Sequence, residues 1–172
     1  LEAGAMKLAL EETDAQDLVG VPLAQLVTRL RSRNLEMDVP ANLPIAVDLV
    51  LAAQAMVTLI DNAAKYSPPD APITIRARAR GPEVVIEVAD EGPGIPPGEL
   101  EHVFDMFYRL QQTTDASGAG LGLSISHGIV KDHGGALGVE SVVGEWTRFH
   151  VDLPIAEQRP DLDGAAGEAE RG

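Results

Sequence analysis

"TLIDNAAKYS", residues 58–67, is the stretch on which the reading of this chain turns. It closes a run that opens at Asp48, a natural N-cap residue, and that Ser67-Pro68-Pro69 stops, so one long helix is expected between them. Ala53, Val57, Ile60 and Ala64 recur at helical spacing and form the expected core stripe. Thr58, Asn62, Lys65 and Tyr66 fall on the opposite face. That face sets a neutral oxygen ligand, an ammonium and an aromatic ring in one line. An asparagine carbonyl suits a hard cation such as Mg²⁺. A lysine one turn on can meet a phosphate oxygen, and a tyrosine ring can pack on a sugar or base. The solvated side of an ordinary amphipathic helix has the same composition, and the helix alone does not decide between the two.

Two further stretches raise the same question. Asp90 ends an apolar strand, and Gly92 and Gly94 follow it in "DEGPGI". A carboxylate there can accept a hydrogen bond from an exocyclic amine such as that of adenine, or it can cap its own turn. In "ASGAGLGLSI", residues 116–125, Gly118, Gly120 and Gly122 precede a helix whose N-terminal N–H groups favour an anion. A loop that needs only flexibility looks similar. No Gly-Lys-Ser/Thr follows, so this is not a Walker A loop, and the GxGxxG spacing after a strand is absent.

Composition narrows the choice. The 172 residues are about one domain, and a 45% apolar fraction is enough for a core. A net charge of −14 argues against a nucleic-acid partner, though it leaves room for a small basic pocket holding one phosphorylated ligand. The absence of cysteine removes disulfides, thiolate nucleophiles and cysteine-ligated zinc. No run reaches the length of a membrane span and no signal peptide opens the chain, so no direct membrane contact is expected of it.

Around the long helix, Pro22 with Leu23, Leu26, Val27 and Leu30 reads as a short helix beginning near that proline. "LEMDV" (35–39), "ITIRARA" (73–79), "VVIEVAD" (84–90), "LGVESVV" (137–143) and "TRFHVDL" (147–153) read as strands. "VFDMFYRL" ends a short helical stretch, residues 111–119 read as a lid-like loop, and a helix from about Leu121 ends at Gly134-Gly135. Residues 1–16 read as the end of a preceding element or a linker, 17–155 as the domain, and 156–172 as a disordered tail. The expected fold is an α/β sandwich (α+β): a mixed, mostly antiparallel sheet covered on one face by helices.

The order of the segments is the strongest signal. "TLIDNAAKYS", "DEGPGI", "VFDMFYRL", "GAGLGL" and "GEWTRF" follow one another with domain-like spacing. They resemble the N, G1, F, G2 and G3 boxes of the ATP-binding catalytic domain of sensor histidine kinases, in the GHKL (Bergerat-fold) superfamily. Within that family, "DEGPGIPPGELEHVFDMFYR" and "MDVPANLP" look nearest to the potassium-responsive KdpD branch.

The resemblance implies a role for each matching residue. Asn62 corresponds to the Mg²⁺-binding asparagine, Lys65 to a phosphate contact and Tyr66 to the ring beside the nucleoside. Asp90 corresponds to the aspartate that reads the adenine amine, with Gly92, Gly94 and Ile95 making room for the base. Phe104 and Phe107 match the aromatics that anchor the lid, and Arg109 is a candidate γ-phosphate contact. Gly118, Gly120, Leu121 and Gly122 match the loop at the triphosphate, and Thr147 falls in the last box. The implied ligands are ATP and Mg²⁺, with Asn62, Lys65 and Arg109 as the catalytic set.

Three departures stand out. Thr58 takes the place of the first N-box asparagine. Trp146 stands where the G3 box keeps a glycine. None of His102, His127, His133 and His150 sits in the His-Glu/Asp context, with a proline shortly after, of a phosphoacceptor helix. The implied activity is therefore that of a protein-histidine kinase catalytic domain whose acceptor histidine lies elsewhere. Its implied partners are a dimerisation domain of the same kinase and a response regulator. Its implied setting is the cytoplasmic part of a bacterial membrane-bound sensor. A GHKL ATPase or serine kinase, and a nucleotide-binding scaffold without catalysis, are the competing readings. Thr58 counts against the ATPases, which need a carboxylate base at that position.

Overall fold

The computed structural model describes residues 7–106, 108 and 121–156. Strand β1 (Glu11–Asp14) leads into helices α1 (Ala15–Gln25) and α2 (Val27–Leu30), then β2 (Leu35–Asp38) and β3 (Pro44–Val47). Helix α3 (Leu49–Tyr66), strands β4 (Ile73–Arg80) and β5 (Glu83–Asp90), helix α4 (Gly122–Asp132) and strands β6 (Ala136–Val142) and β7 (Trp146–Pro154) complete it.

Five strands form one sheet in the order β2-β4-β5-β7-β6. Only β2 and β4 are parallel, with Met37 opposite Ile75; the other pairs are antiparallel. The period-two pattern assigns the faces. Ile73, Ile75 and Ala77 of β4, Val84, Ile86 and Val88 of β5, and Phe149, Val151 and Leu153 of β7 are buried in one core. Helices α1, α3 and α4 complete that core from one side. The other face is charged, with Arg78 bonded to Glu87 at 3.0 Å, Arg80 to Asp152 at 3.2 Å, and Arg148 to Glu140.

Helix α3 is fixed at both ends as its sequence requires. The Asp48 carboxylate accepts the Leu51 N–H at 3.2 Å, and the helix stops at Tyr66, before Ser67-Pro68. The phase of its core stripe differs from expectation. Ala52, Ala53, Ala55, Met56, Leu59, Ile60 and Ala63 are buried, whereas Val57 and Ala64 are half-buried. The helix is central in its layer, packed by α1 and α4 as well as the sheet, so its apolar arc is broad.

Other differences have equally local causes. The first helix begins at Ala15, not near Pro22, because Asp14 caps it by accepting the Gln16 N–H at 3.0 Å. Ala15, Leu18, Val19 and Pro22 make its buried stripe, and the helix ends three residues after the proline. Residues 11–14, read as linker from sequence, form β1 and pair antiparallel with β3. The stretch before Tyr108 is a succession of turns rather than a regular helix. Glu99, His102 and Asp105 each donate a backbone N–H to the carbonyl three residues earlier.

Candidate nucleotide site

Three elements converge at one end of the sheet. Asp90 is the last residue of β5, opposite Ile73 on one side and Thr147 on the other. Its side chain follows Val84, Ile86 and Val88 on the helix-covered face and is only 6% exposed. Its Oδ1 accepts the Gly92 N–H at 2.8 Å, the one hydrogen bond it makes among the described residues. Burial pushes the carboxyl up to about 6, against the Gly92 N–H and the Arg33 charge, which both favour ionisation. A desolvated carboxylate with an acceptor oxygen to spare suits an amine donor.

The C-terminus of α3 closes on the same spot. A Cβ at Gly92 would lie 2.6 Å from the Tyr66 carbonyl oxygen and 2.7 Å from Asp90 Oδ1, so only glycine lets the backbone pass there. Gly94 has a φ of 74°, and a Cβ on it would meet the Val142 carbonyl at 2.4 Å. Gly94→Ala should therefore lower unfolding stability by about 2–4 kcal/mol, from left-handed strain and overlap together. Urea unfolding checks this; a loss within error of zero would contradict it.

Ser141, which sequence reading missed, locks this loop to the β6–β7 hairpin. Its hydroxyl donates to the Trp146 carbonyl at 2.7 Å and accepts the Ile95 N–H at 2.7 Å. With its proton so used, its contact of 3.0 Å with Thr147 Oγ1 has the threonine donating. Thr147, opposite Asp90, and Ile95, both expected at the site, are thereby tied to one hydroxyl, while nothing in "VESVV" marks that serine from sequence.

On α3, Asn62 is half-buried and has no hydrogen-bond partner among the described residues. Its carbonyl oxygen fits a hard cation that keeps other oxygens and waters. No cluster of three His, Asp or Glu competes for a metal among the described residues. Lys65 Nζ lies 3.1 Å from Asp61 Oδ2, and Arg29 pairs with Asp61 from the other side. The signal for that pair was present as an acid four residues before a base on one helix face.

Helix α4 starts against α3. A Cβ at Gly122 would lie 3.0 Å from Thr58 Cγ2, so Thr58 serves helix packing. No side chain caps the helix at Leu121, which leaves its first N–H groups for another acceptor. Phe104 stacks on His127 of α4 at 5.0 Å between centroids and meets Phe149 edge-on at 6.2 Å, anchoring its own segment to the helix and the sheet. Phe107, Arg109, Gly118 and Gly120 lie outside the described residues, as does the tail after Ala156.

Trp146 is on the other side. It alternates with Thr147 and shares the open face with Arg148, whose guanidinium carbon is 5.2 Å from its ring centroid. With Glu36, Arg76, Glu87 and, at the end of β5, Asp90 and Glu91, they line a depression of about 400 Å³ there. ADP should consequently leave the fluorescence of this single tryptophan essentially unchanged. A large shift at saturating ADP would contradict that placement.

Known proteins resemble this chain in sequence and fold. The family model for histidine kinase-, DNA gyrase B- and HSP90-like ATPases matches residues 47–157. The adaptive-response sensory kinase SasA of Synechococcus sp. (strain JA-3-3Ab) is 34% identical over 157 residues, 89% of this chain and 42% of that protein. The sensor protein KdpD of Escherichia coli (strain K12) is also 34% identical, over 95% of this chain and 18% of its own length. The solved structure of the mycobacterial sensor histidine kinase MprB matches with a TM-score of 0.79 at 31% identity, covering 86% of this chain and 100% of that one. The chain thus spans less than half the length of these curated relatives.

Proposed function

The chain belongs to the histidine kinase-, DNA gyrase B- and HSP90-like ATPase family, and on that premise we propose that it binds Mg-ATP and presents the γ-phosphate to a histidine on a separate dimerisation domain. The observation that carries the reading is Asp90: a buried carboxylate at the end of β5, with one oxygen engaged by Gly92, beside the C-terminus of the helix that bears Asn62. The fold is the Bergerat α/β sandwich shared with histidine kinase catalytic domains.

In this reading Asp90 accepts the adenine amine, with Thr147 and Ile95 beside it and Tyr66 along the nucleoside. Asn62 holds Mg²⁺, which when bound offsets phosphate charge. Lys65, drawn partly from Asp61, meets a phosphate oxygen, and Arg109 is assigned to the γ-phosphate. Gly118, Gly120, Leu121 and Gly122 bring backbone N–H groups to the triphosphate at the uncapped start of α4. Phosphoryl transfer asks mainly for positioning and charge neutralisation, which these groups provide.

Nothing here supplies the nucleophile. His133 is buried, accepting the Asp48 N–H at 3.0 Å through Nε2, with Nδ1 2.7 Å from the Ile129 carbonyl. His127 is stacked under Phe104, and His102 and His150 pair with Asp105 and Asp152. The acceptor therefore comes from another domain, a response regulator takes the phosphate onward, and the parent is a membrane-bound sensor with this part in the cytoplasm. No helix among the described residues is long and apolar enough to cross a membrane. Calorimetric titration tests the binding half: Mg-ADP should bind, and inosine diphosphate, with a carbonyl in place of the amine, should bind about 10–100-fold more weakly. Equal affinity for the two would remove Asp90 from its role.

A further inference from the structure

The guanidinium of Arg33, which sequence reading passed over, is spent on the end of α3. Its Nη1 donates to the Ala64 carbonyl at 3.1 Å and the Ser67 carbonyl at 3.4 Å. Its Nη2 donates to the Ser67 hydroxyl at 2.5 Å and the Ala71 carbonyl at 3.5 Å. The Ala64 carbonyl is an orphan of the helix C-terminus and Ser67 is its C-cap, so a cation there also meets the negative end of the dipole. Ala64 and Ser67 flank Tyr66, whose carbonyl approaches Gly92 so closely that a Cβ there would lie 2.6 Å from it and 2.7 Å from the Asp90 carboxylate.

We propose that Arg33 is a positioning residue for the nucleotide base: by gripping both sides of Tyr66 it fixes the gap between the end of α3 and the Asp90–Gly92 turn where the base amine is read. Two observations make this more than an ordinary helix cap. First, Ser67 Oγ donates to the Ala63 carbonyl at 2.5 Å while accepting from Arg33, so the grip reaches back into the last turn of α3 at Ala63, between Asn62 and Lys65. Second, the Arg33 charge acts on Asp90 itself and favours its ionised form, the form that accepts an amine. The inference rests on the adenine-reading role proposed for Asp90.

The test is the ratio of ADP to inosine diphosphate affinity in the full chain, for Arg33→Gln and Arg33→Lys, with thermal unfolding alongside. Arg33→Gln should lose most of the preference for ADP, by a factor of about ten, while inosine diphosphate binds as before. Arg33→Lys, which keeps the charge without the fork, should fall between. A role confined to holding the fold would weaken both nucleotides together and leave the ratio intact. If Arg33→Gln fails to fold, Arg33→Lys decides on the same ratio. An unchanged ratio in the folded variants would overturn the role of Arg33. Failure of the unsubstituted chain to bind ADP at all would overturn the nucleotide reading beneath it.

Discussion

Asp90→Asn should stabilise the nucleotide-free protein and at the same time abolish its preference for adenine. The carboxyl is raised from 3.8 to about 6 in the folded state, chiefly by burial. A folded-state value above the unfolded one means that its stabilising contribution is complete below about pH 4. That contribution is lost as pH rises through 6, where a buried charge must form. Ionisation therefore costs the fold on the order of 2–3 kcal/mol at neutral pH, and asparagine removes that cost while its carbonyl can still accept from Gly92. Urea unfolding should show the variant more stable than the parent at pH 7, with the two converging towards pH 4. Nucleotide titration should show ADP weakened about 10–100-fold and inosine diphosphate little changed, as expected for loss of a charge-assisted hydrogen bond. A variant less stable than the parent at pH 7 would contradict the desolvation argument. One that kept its adenine preference would contradict the binding assignment.

That prediction joins a residue legible in the sequence to an environment that was not. Asp90 could be singled out because an acid ends an apolar strand before a glycine pair, and Asn62 and Lys65 because helical spacing aligns them. The N-cap at Asp48 and the strands are visible for the same reason: each depends on neighbours a few residues away. What stayed hidden depends on packing between distant segments. The buried arc of α3 could not be phased without knowing that α1 and α4 flank it. The β1–β3 pair is four residues long and mostly polar on one side, too short for an alternation to register. Arg33 and Ser141 reach partners remote in sequence, as does Asp61 in its pair with Arg29. Trp146 is turned to the open face, away from Thr147, by the register of β7.

The largest effect on chemistry is expected at Asn62. It lies on the half-buried margin of α3 and contributes nothing to the core cluster, so Asn62→Ala should unfold at nearly the same temperature as the parent. Removing the oxygen that holds the cation should nevertheless cut phosphoryl transfer on the order of 10²–10³-fold, as loss of a charge-stabilising group does elsewhere.

The direct test of the central claim supplies this chain with γ-labelled ATP, Mg²⁺ and its cognate dimerisation domain as a separate polypeptide. The account predicts acid-labile label on a histidine of that domain, none on this chain alone, and loss of transfer with Asn62→Ala. Acid-labile label on this chain by itself, or undiminished transfer by the Asn62 variant, would contradict it.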